Sequence, residues 1–342
     1  MISRETIATT LADLGEPAYR ARQVYEALTR GFATDFAEVT TLPVALRRAL
    51  AQRLRSLSLE EVETRVAPRG TARKTLFRTA DGEPVEAVLM TYATRATVCV
   101  SAQVGCAVGC AFCASGRLGL RRDLTAEEMV DQVLHFARVL RSADRRVTNV
   151  VFMGMGEPFH NYDETLRACR TLNDEDGFGL AARAISVSTV GVVPGMDRFS
   201  EEPEQFNLAV SLHAATDALR DTLVPLNRTY PLDELFAASA RYVRRTHRKL
   251  MFEYVVLRGV NDTDEQVQMI AARVRPPHYH LNLIAYNETG GDFRRPRTAD
   301  LDALRARLES VGVSCTVRSS PGGEIEAACG QLALEHGAAP AD

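Results

Sequence analysis

From about residue 95 onward, short β-branched runs alternate with helical stretches, and nothing else in the chain constrains its fold as strongly. The runs are ATVCVSA (96–102), VTNVVFM (147–153), AISVSTV (184–190), FNLAVSL (206–212), MFEYVVL (251–257) and HLNLIAY (280–286). Helical periodicity fills 125–141, 162–174, 231–246, 264–274 and 298–311. Six strands separated by helices imply right-handed βαβ units around a parallel sheet. The period alone leaves a full barrel, a partial barrel and a flat doubly wound sheet open. No internal repeat or low-complexity segment is evident.

Upstream the pattern differs. Glu5 to Leu14 has apolar residues at helical spacing, Gly15 and Pro17 interrupt it, and Arg20 to Leu28 resumes it. Pro43 precedes a third amphipathic run to Leu57. TLFRTADGEPVEAVLM then reads as two strands about an Asp81-Gly82 turn. Four segments are expected: a helical accessory unit over 1–62, a β-hairpin extension over 63–94, the α/β core over 95–318, and a Gly-rich tail over 319–342. No run of 18 uncharged apolar residues suggests a membrane span, and the N-terminus has no apolar core of a secretory signal, so a cytoplasmic protein is expected. The net charge of −3 excludes a uniformly basic surface. Basic clusters at 69–78, 117–122, 241–249 and 293–297 are either phosphate contacts or the solvated faces of an Arg-rich protein.

Three of the seven cysteines crowd into GCAVGCAFC at 105–113. This loop follows the first core strand, at the strand carboxyl end where α/β folds place their active sites. Such crowding points to metal or redox chemistry rather than a disulfide framework. A structural zinc would need a fourth ligand, and no other Cys or His lies nearby in sequence. Cys106, Cys110 and Cys113 can instead wrap a 4Fe-4S cluster, leaving one iron open. Their spacing, with Phe112 before the last cysteine, resembles the signature of the radical S-adenosylmethionine (SAM) superfamily. That resemblance implies that the open iron chelates the methionine end of SAM, whose cleavage yields a 5′-deoxyadenosyl radical. GMGEP at 154–158 follows the next strand; Gly156 permits close backbone approach, and Glu157 can accept from the SAM ammonium. Ser188, Ser211-Leu212-His213 and Asn287 stand at later strand carboxyl ends and are candidate SAM contacts.

CVSAQVGCAVGCAFC (99–113), VFMGMGEP, SLHAATDALRDTLVPLNR and AACGQL (327–332) together resemble the RlmN/Cfr family, over nearly the whole chain. The resemblance implies a partial (β/α)6 TIM-like barrel with a small N-terminal helical domain. It implies methylation of an sp2 carbon of adenosine in RNA, with carbon 2 of a 23S rRNA adenosine in the peptidyl-transferase region as the expected target and transfer RNA as a second. Carbon 8, or a non-RNA substrate, is the alternative. A ring carbon of this kind is neither nucleophilic nor usefully acidic, and by resemblance the answer is covalent catalysis. One SAM methylates Cys329; a second generates the radical that activates the S-methyl group for addition to adenine. Cys99 then forms a disulfide with Cys329 and releases the product, with Glu86 as proton acceptor. Two SAM per turnover, an electron donor such as flavodoxin, and a monomeric enzyme are expected.

Period-2 alternation places Thr97, Cys99 and Ser101 on one strand face and Val98 and Val100 on the other. Cys99 thus shares its face with polar residues, as a cleft-facing thiol does. Cys169 and Cys315 fall within a helix and a strand and read as inert thiols. Two positions depart from the family pattern. Asn287-Glu288-Thr289-Gly290-Gly291 replaces a Pro-rich run, and Val190 replaces a Ser; both bear on regiochemistry and RNA target rather than on reaction class.

Overall fold

A computed structural model describes residues 3–289, 292–318 and 332–333. Three helices open the chain: α1 (Arg4–Asp13), α2 (Tyr19–Thr29) and α3 (Val44–Arg53). Ser3 caps the first by accepting the Thr6 N–H at 3.0 Å. Their apolar stripes meet through Ile7, Leu11, Val24, Leu28, Leu46 and Leu50, all buried. The third helix stops at Arg53 rather than Leu57, because Leu54 turns extended.

Three antiparallel strands follow, β1 (Leu59–Val66), β2 (Ala72–Thr79) and β3 (Pro84–Thr91). The Asp81-Gly82 turn joins the second and third as expected. The extension is therefore a three-stranded meander, and the expected boundary at 62/63 falls inside β1.

The core runs β4 (Ala96–Val100), a ribbon of β5 (Gln103–Val104) with β6 (Arg122–Asp123), and between those two the short helix α4 (Ala114–Arg117). Then come α5 (Ala126–Arg141), β7 (Asn149–Phe152), α6 (Tyr162–Asn173), β8 (Ile185–Thr189), α7 (Val193–Phe199), β9 (Asn207–Ser211) and α8 (Asp217–Leu223). The remainder is α9 (Leu232–Thr246), β10 (Leu250–Val256), α10 (Asp264–Arg273), β11 (Tyr279–Ala285), α11 (Thr298–Ser310) and β12 (Cys315–Arg318). Ten strands form one sheet in the order β1-β2-β3-β4-β7-β8-β9-β10-β11-β12. It is parallel from β4 onward, so β12 adds a seventh parallel strand to the six expected. The order has two ends, which makes this an open barrel.

Parity separates the two faces of that barrel. Val98, Val100, Val150, Val187, Leu208, Val210, Phe252, Tyr254, Leu281 and Leu283 are buried in the hydrophobic core. The alternate positions, including Thr97, Cys99, Val151, Ser188, Ser211 and Glu253, line cavities at the strand carboxyl ends. The N-terminal helices pack elsewhere. Arg30 donates to the Gly177 carbonyl at 2.7 Å and Arg138 to the Phe32 carbonyl at 3.0 Å. Those contacts lie at the carboxyl ends of α5 and α6, on the side of the barrel away from the strand carboxyl ends.

Candidate active site

The loop after β4 is pinned at both ends. Cys106 N–H donates to the Gly119 carbonyl at 3.1 Å, and Ala111 N–H to the Leu223 carbonyl at 2.9 Å. Gly105 has φ +76°, and a Cβ there would stand 1.7 Å from the Gly119 carbonyl oxygen, so the crossing requires glycine. Thus held, Cys106, Cys110 and Cys113 all line one cavity of about 220 Å³. Gly156, Glu157, Ser188, Ser211 and His213 line the same cavity.

These residues fit an iron–sulfur cluster better than a single ion. Among the described residues no three His, Cys, Asp or Glu side chains converge on a point for one metal. Three thiols nevertheless share the cavity, as ligands to separate irons would. Burial pushes the Cys106 thiol up to about 12 and the Cys110 thiol well above its ordinary value, with the neighbouring cysteines adding to both. Such thiols become thiolates only when a cationic centre compensates them.

Glu157 is fully enclosed. Its Oε2 accepts the Val190 N–H at 2.7 Å and its Oε1 the Phe159 N–H at 3.0 Å. Its own N–H donates to Gln103 Oε1 at 2.8 Å. Burial raises its pKa to about 7 against these backbone hydrogen bonds, which lower it. The carboxylate is thus fixed in direction and has no compensating cation among the described residues, the condition of a receptor for an ammonium group. Gly156 has φ +94°, and a Cβ there would meet Gln103 Cβ at 2.5 Å.

Behind the cavity lies Arg220, buried and carried by α8. It donates to the Leu212 carbonyl at 3.0 Å, the Val190 carbonyl at 2.7 Å, the Ser211 carbonyl at 3.0 Å and Asn227 Oδ1 at 2.8 Å. Burial lowers its pKa to about 10. It ties the end of β9 to the turn after β8, which brings Ser211 and His213 to the same opening as Glu157. His213 has φ +58° and stacks edge-on against Phe112 at 4.8 Å. Its Nδ1 accepts the Val255 N–H at 3.0 Å. Burial, then the nearby Arg220 charge, lowers its pKa to about 3, so the ring is neutral with its proton on Nε2.

A second cavity, about 330 Å³, adjoins the first. Thr97 and Cys99 line it together, as the strand parity predicts, with Met90, Tyr92, Arg95 and Arg318. Phe112, Cys113, Met153, Gly154, Glu253, Val255 and Ile284 line both cavities and form the wall between them. Asn287 belongs to the second cavity, where its Oδ1 accepts from Arg295 at 2.6 Å. Leu212 is buried and lines neither cavity. Glu86 also lines neither; it is buried on β3, paired with Lys74 Nζ at 2.9 Å, and accepts the Ala333 N–H at 2.5 Å. Cys329 lies outside the described residues, three positions before the buried Leu332.

Sequence reasoning did not single out Arg220, Glu253 or Lys74. Arg220 stood inside a quoted motif with no role attached. Glu253 had one signal, an acid in an otherwise apolar strand. Part of the basic clusters is neutralised at home: Lys74 by Glu86, Arg121 by Glu83, Arg122 by Asp81 and Glu128, Arg241 by Asp197, Arg245 by Glu201, and Arg297 by Asp300.

Comparison with known proteins agrees with this geometry. The radical SAM superfamily model matches residues 100–270. A probable dual-specificity RNA methyltransferase RlmN of Chloroflexus aurantiacus is 45% identical over 339 residues, covering 95% of this chain and 90% of that protein. The ribosomal RNA large subunit methyltransferase N of Nitrosopumilus maritimus is 40% identical, covering 96% of each. A solved radical SAM methyltransferase from Sphaerobacter thermophilus superposes with a TM-score of 0.93 at 49% identity, over 96% of this chain and 97% of that one.

Proposed function

The chain belongs to the RlmN family of radical SAM RNA methyltransferases, and on that premise we propose that it methylates carbon 2 of adenosine in 23S rRNA, in the peptidyl-transferase region, and in transfer RNA. One observation carries the reading. The cavity holding Cys106, Cys110 and Cys113 and the cavity holding Cys99 share a wall, so radical and thiol chemistry meet at one opening. The dual-specificity names of the relatives support two RNA substrates.

Cys106, Cys110 and Cys113 hold the 4Fe-4S cluster, and Glu157 receives the SAM ammonium. Bound together, the cluster and SAM supply an oxidant able to take a hydrogen atom from an unactivated methyl group. Cys329 carries that methyl, donated by a first SAM, and bonds through it to the adenine carbon. Glu86 is the acceptor of the ring proton, and the odd electron left on the adduct would return to the cluster. Cys99 attacks the Cys329 sulfur; the S–C bond breaks with its electrons going to the methylene carbon, which takes a proton and becomes the product methyl. The enzyme acts in the cytoplasm as a monomer, uses a reductant such as flavodoxin, and contacts RNA through its N-terminal helical unit.

The test is a reconstituted reaction with rRNA fragments and transfer RNA, digested to nucleosides and read by mass spectrometry. 2-Methyladenosine should form, with one S-adenosylhomocysteine and one 5′-deoxyadenosine per methyl. 8-Methyladenosine would reverse the regiochemistry, an outcome scored because the residues after Asn287 depart from the family's Pro-rich run. RNA left unmodified while SAM is cleaved would overturn the substrate.

A further inference from the structure

Where the helical unit meets the barrel, at the amino ends of β7 and β8, lies a cavity of about 620 Å³. The carboxyl ends of α2 and α5 flank it, and the connections into β7 and β8 complete it. Arg30, Arg141, Arg145 and Arg146 line it together with Phe32 and Phe178, and no Asp or Glu does. None of these arginines belongs to the basic clusters named from the sequence.

Carbonyls, not carboxylates, hold these side chains. Arg30 donates to the Gly177 and Glu175 carbonyls, and Arg141 to the Gly31 carbonyl at 2.6 Å. Arg145 donates to the Tyr92 and Arg95 carbonyls at 2.6 and 3.2 Å. Arg146 is exposed and has no hydrogen-bond or ion-pair partner among the described residues. A carbonyl orients a guanidinium without cancelling its charge. Four positive charges therefore stand together uncompensated in a chain whose net charge is −3. Elsewhere Arg122, Arg167, Arg170 and Arg241 each meet a carboxylate directly.

The basic lining continues beyond this cavity. Arg145, Arg146 and Thr148 also line a neighbouring one of about 440 Å³, which Ala93 and Thr94 of the β3–β4 turn bound, with Asp144 as its acid. Tyr92 and Arg95 flank that turn and line the Cys99 cavity, the Arg95 guanidinium standing 4.4 Å from the centre of the Tyr92 ring. One track of arginines thus runs from the seam behind the barrel, past the β3–β4 turn, to the cavity of Cys99.

The chemistry of the track selects its occupant. Guanidinia along a groove suit a phosphodiester backbone, and aromatic rings beside them suit unstacked bases. Phe32 and Phe178 are both half-buried, with ring centres 6.2 Å apart. A paired helix keeps its bases stacked inside and offers these rings no face, which favours a single strand.

We propose that this track holds single-stranded RNA flanking the target adenosine, with phosphates on the four arginines and a base against Phe32 and Phe178. The substrate is thus gripped on the face opposite the catalytic opening as well as at it. This rests on the reading of the chain as an RNA methyltransferase whose target base enters the Cys99 cavity. A free nucleotide seated between Arg141 and Phe178 is the rival occupant.

The experiment measures fluorescence anisotropy of the cluster-loaded enzyme with a minimal RNA carrying the target adenosine, and with RNAs extended by unpaired nucleotides on its 5′ or its 3′ side. At least one extension should tighten binding by about 10-fold and steepen the fall of log affinity with log salt by about 0.7 for each phosphate seated. Arg146→Ala, which breaks no contact within the protein, should weaken that extended RNA by about 5-fold and lower its salt slope by about 0.7. The minimal RNA should be bound by this variant as by the native enzyme. Equal affinity of the native enzyme for minimal and extended RNAs would overturn the proposal without recourse to any variant. So would an Arg146→Ala loss shared equally by both RNAs. ATP binding that Arg146→Ala weakens, with no gain from either extension, would give the cavity to a free nucleotide. A native enzyme that binds none of these RNAs would refute the underlying RNA reading, and this proposal with it.

Discussion

Lys74 Nζ lies 2.9 Å from Glu86 Oε2, and both side chains are 1% exposed. Two strands of the meander thus enclose an ion pair beneath the cavity that Val88 and Met90 line from β3. Removing one member of such a pair strands a buried charge, whereas removing both does not. Lys74→Met should cost about 3–5 kcal/mol in urea unfolding. Lys74→Met with Glu86→Leu should recover much of that loss and abolish turnover. A single variant as stable as the native protein would mean the pair is hydrated and not enclosed.

Glu157 gives a pH dependence whose sign follows from burial. Its pKa rises from 4.5 unfolded to about 7 folded. Between those values the folded protein keeps a proton that the unfolded chain has released, so stability is full below pH 4.5 and is lost as pH rises through 7. The loss attributable to this group is about 3 kcal/mol. In cluster-free protein, Glu157→Gln should therefore gain on the native chain by about that amount between pH 4.5 and 8. SAM affinity of the native holoenzyme should move the opposite way, strengthening toward pH 8 as the carboxylate ionises. Parallel stability profiles for the two proteins would contradict the assignment.

The two thiols are separable. Cys99→Ala should let methylation of Cys329 and addition to RNA proceed, then stall. The protein should accumulate as a nuclease-sensitive band of retarded mobility on a denaturing gel. Adding Cys329→Ala should remove the band. Full turnover by Cys99→Ala, or an adduct that survives loss of Cys329, refutes the pairing.

At Gly156 the backbone is left-handed and Gln103 stands where a Cβ would go. Gly156→Ala must either shift Gln103, which accepts the Glu157 N–H, or move the turn itself. A cost of about 2–3 kcal/mol is expected in thermal unfolding, with SAM affinity falling alongside. Unchanged SAM affinity would show that the turn adjusts without disturbing Glu157.

Much of this was legible in the chain. β-Branched runs gave the parallel core, and strand parity alone put Cys99 beside Thr97 in a cavity. The misses have physical causes. β1 carries Glu60, Glu61, Glu63 and Arg65, so its alternation is buried under charge and only its neighbour β2 makes it a strand. α7 and α8 are 7 residues each, too short to show a period. MFEYVVL marks a strand enclosed on both faces, and no pattern within it says which face is cavity; Glu253 emerges only once Ser211 and Asn282 stand on either side. Arg220 was invisible because its partners are carbonyls, which every sequence has.

The open sheet leaves β1 as an outer strand, which among the described residues pairs only with β2. An outer strand offers unpaired backbone groups to any other chain it meets, the starting point of edge-to-edge aggregation. The charges that hide β1 from sequence reading protect it there: a second copy brought alongside would set carboxylate against carboxylate. A register shift between Glu61 and Glu63 also breaks the regular ladder a docking strand would need. The barrel can therefore stay open at the meander's side without this edge recruiting a neighbouring molecule.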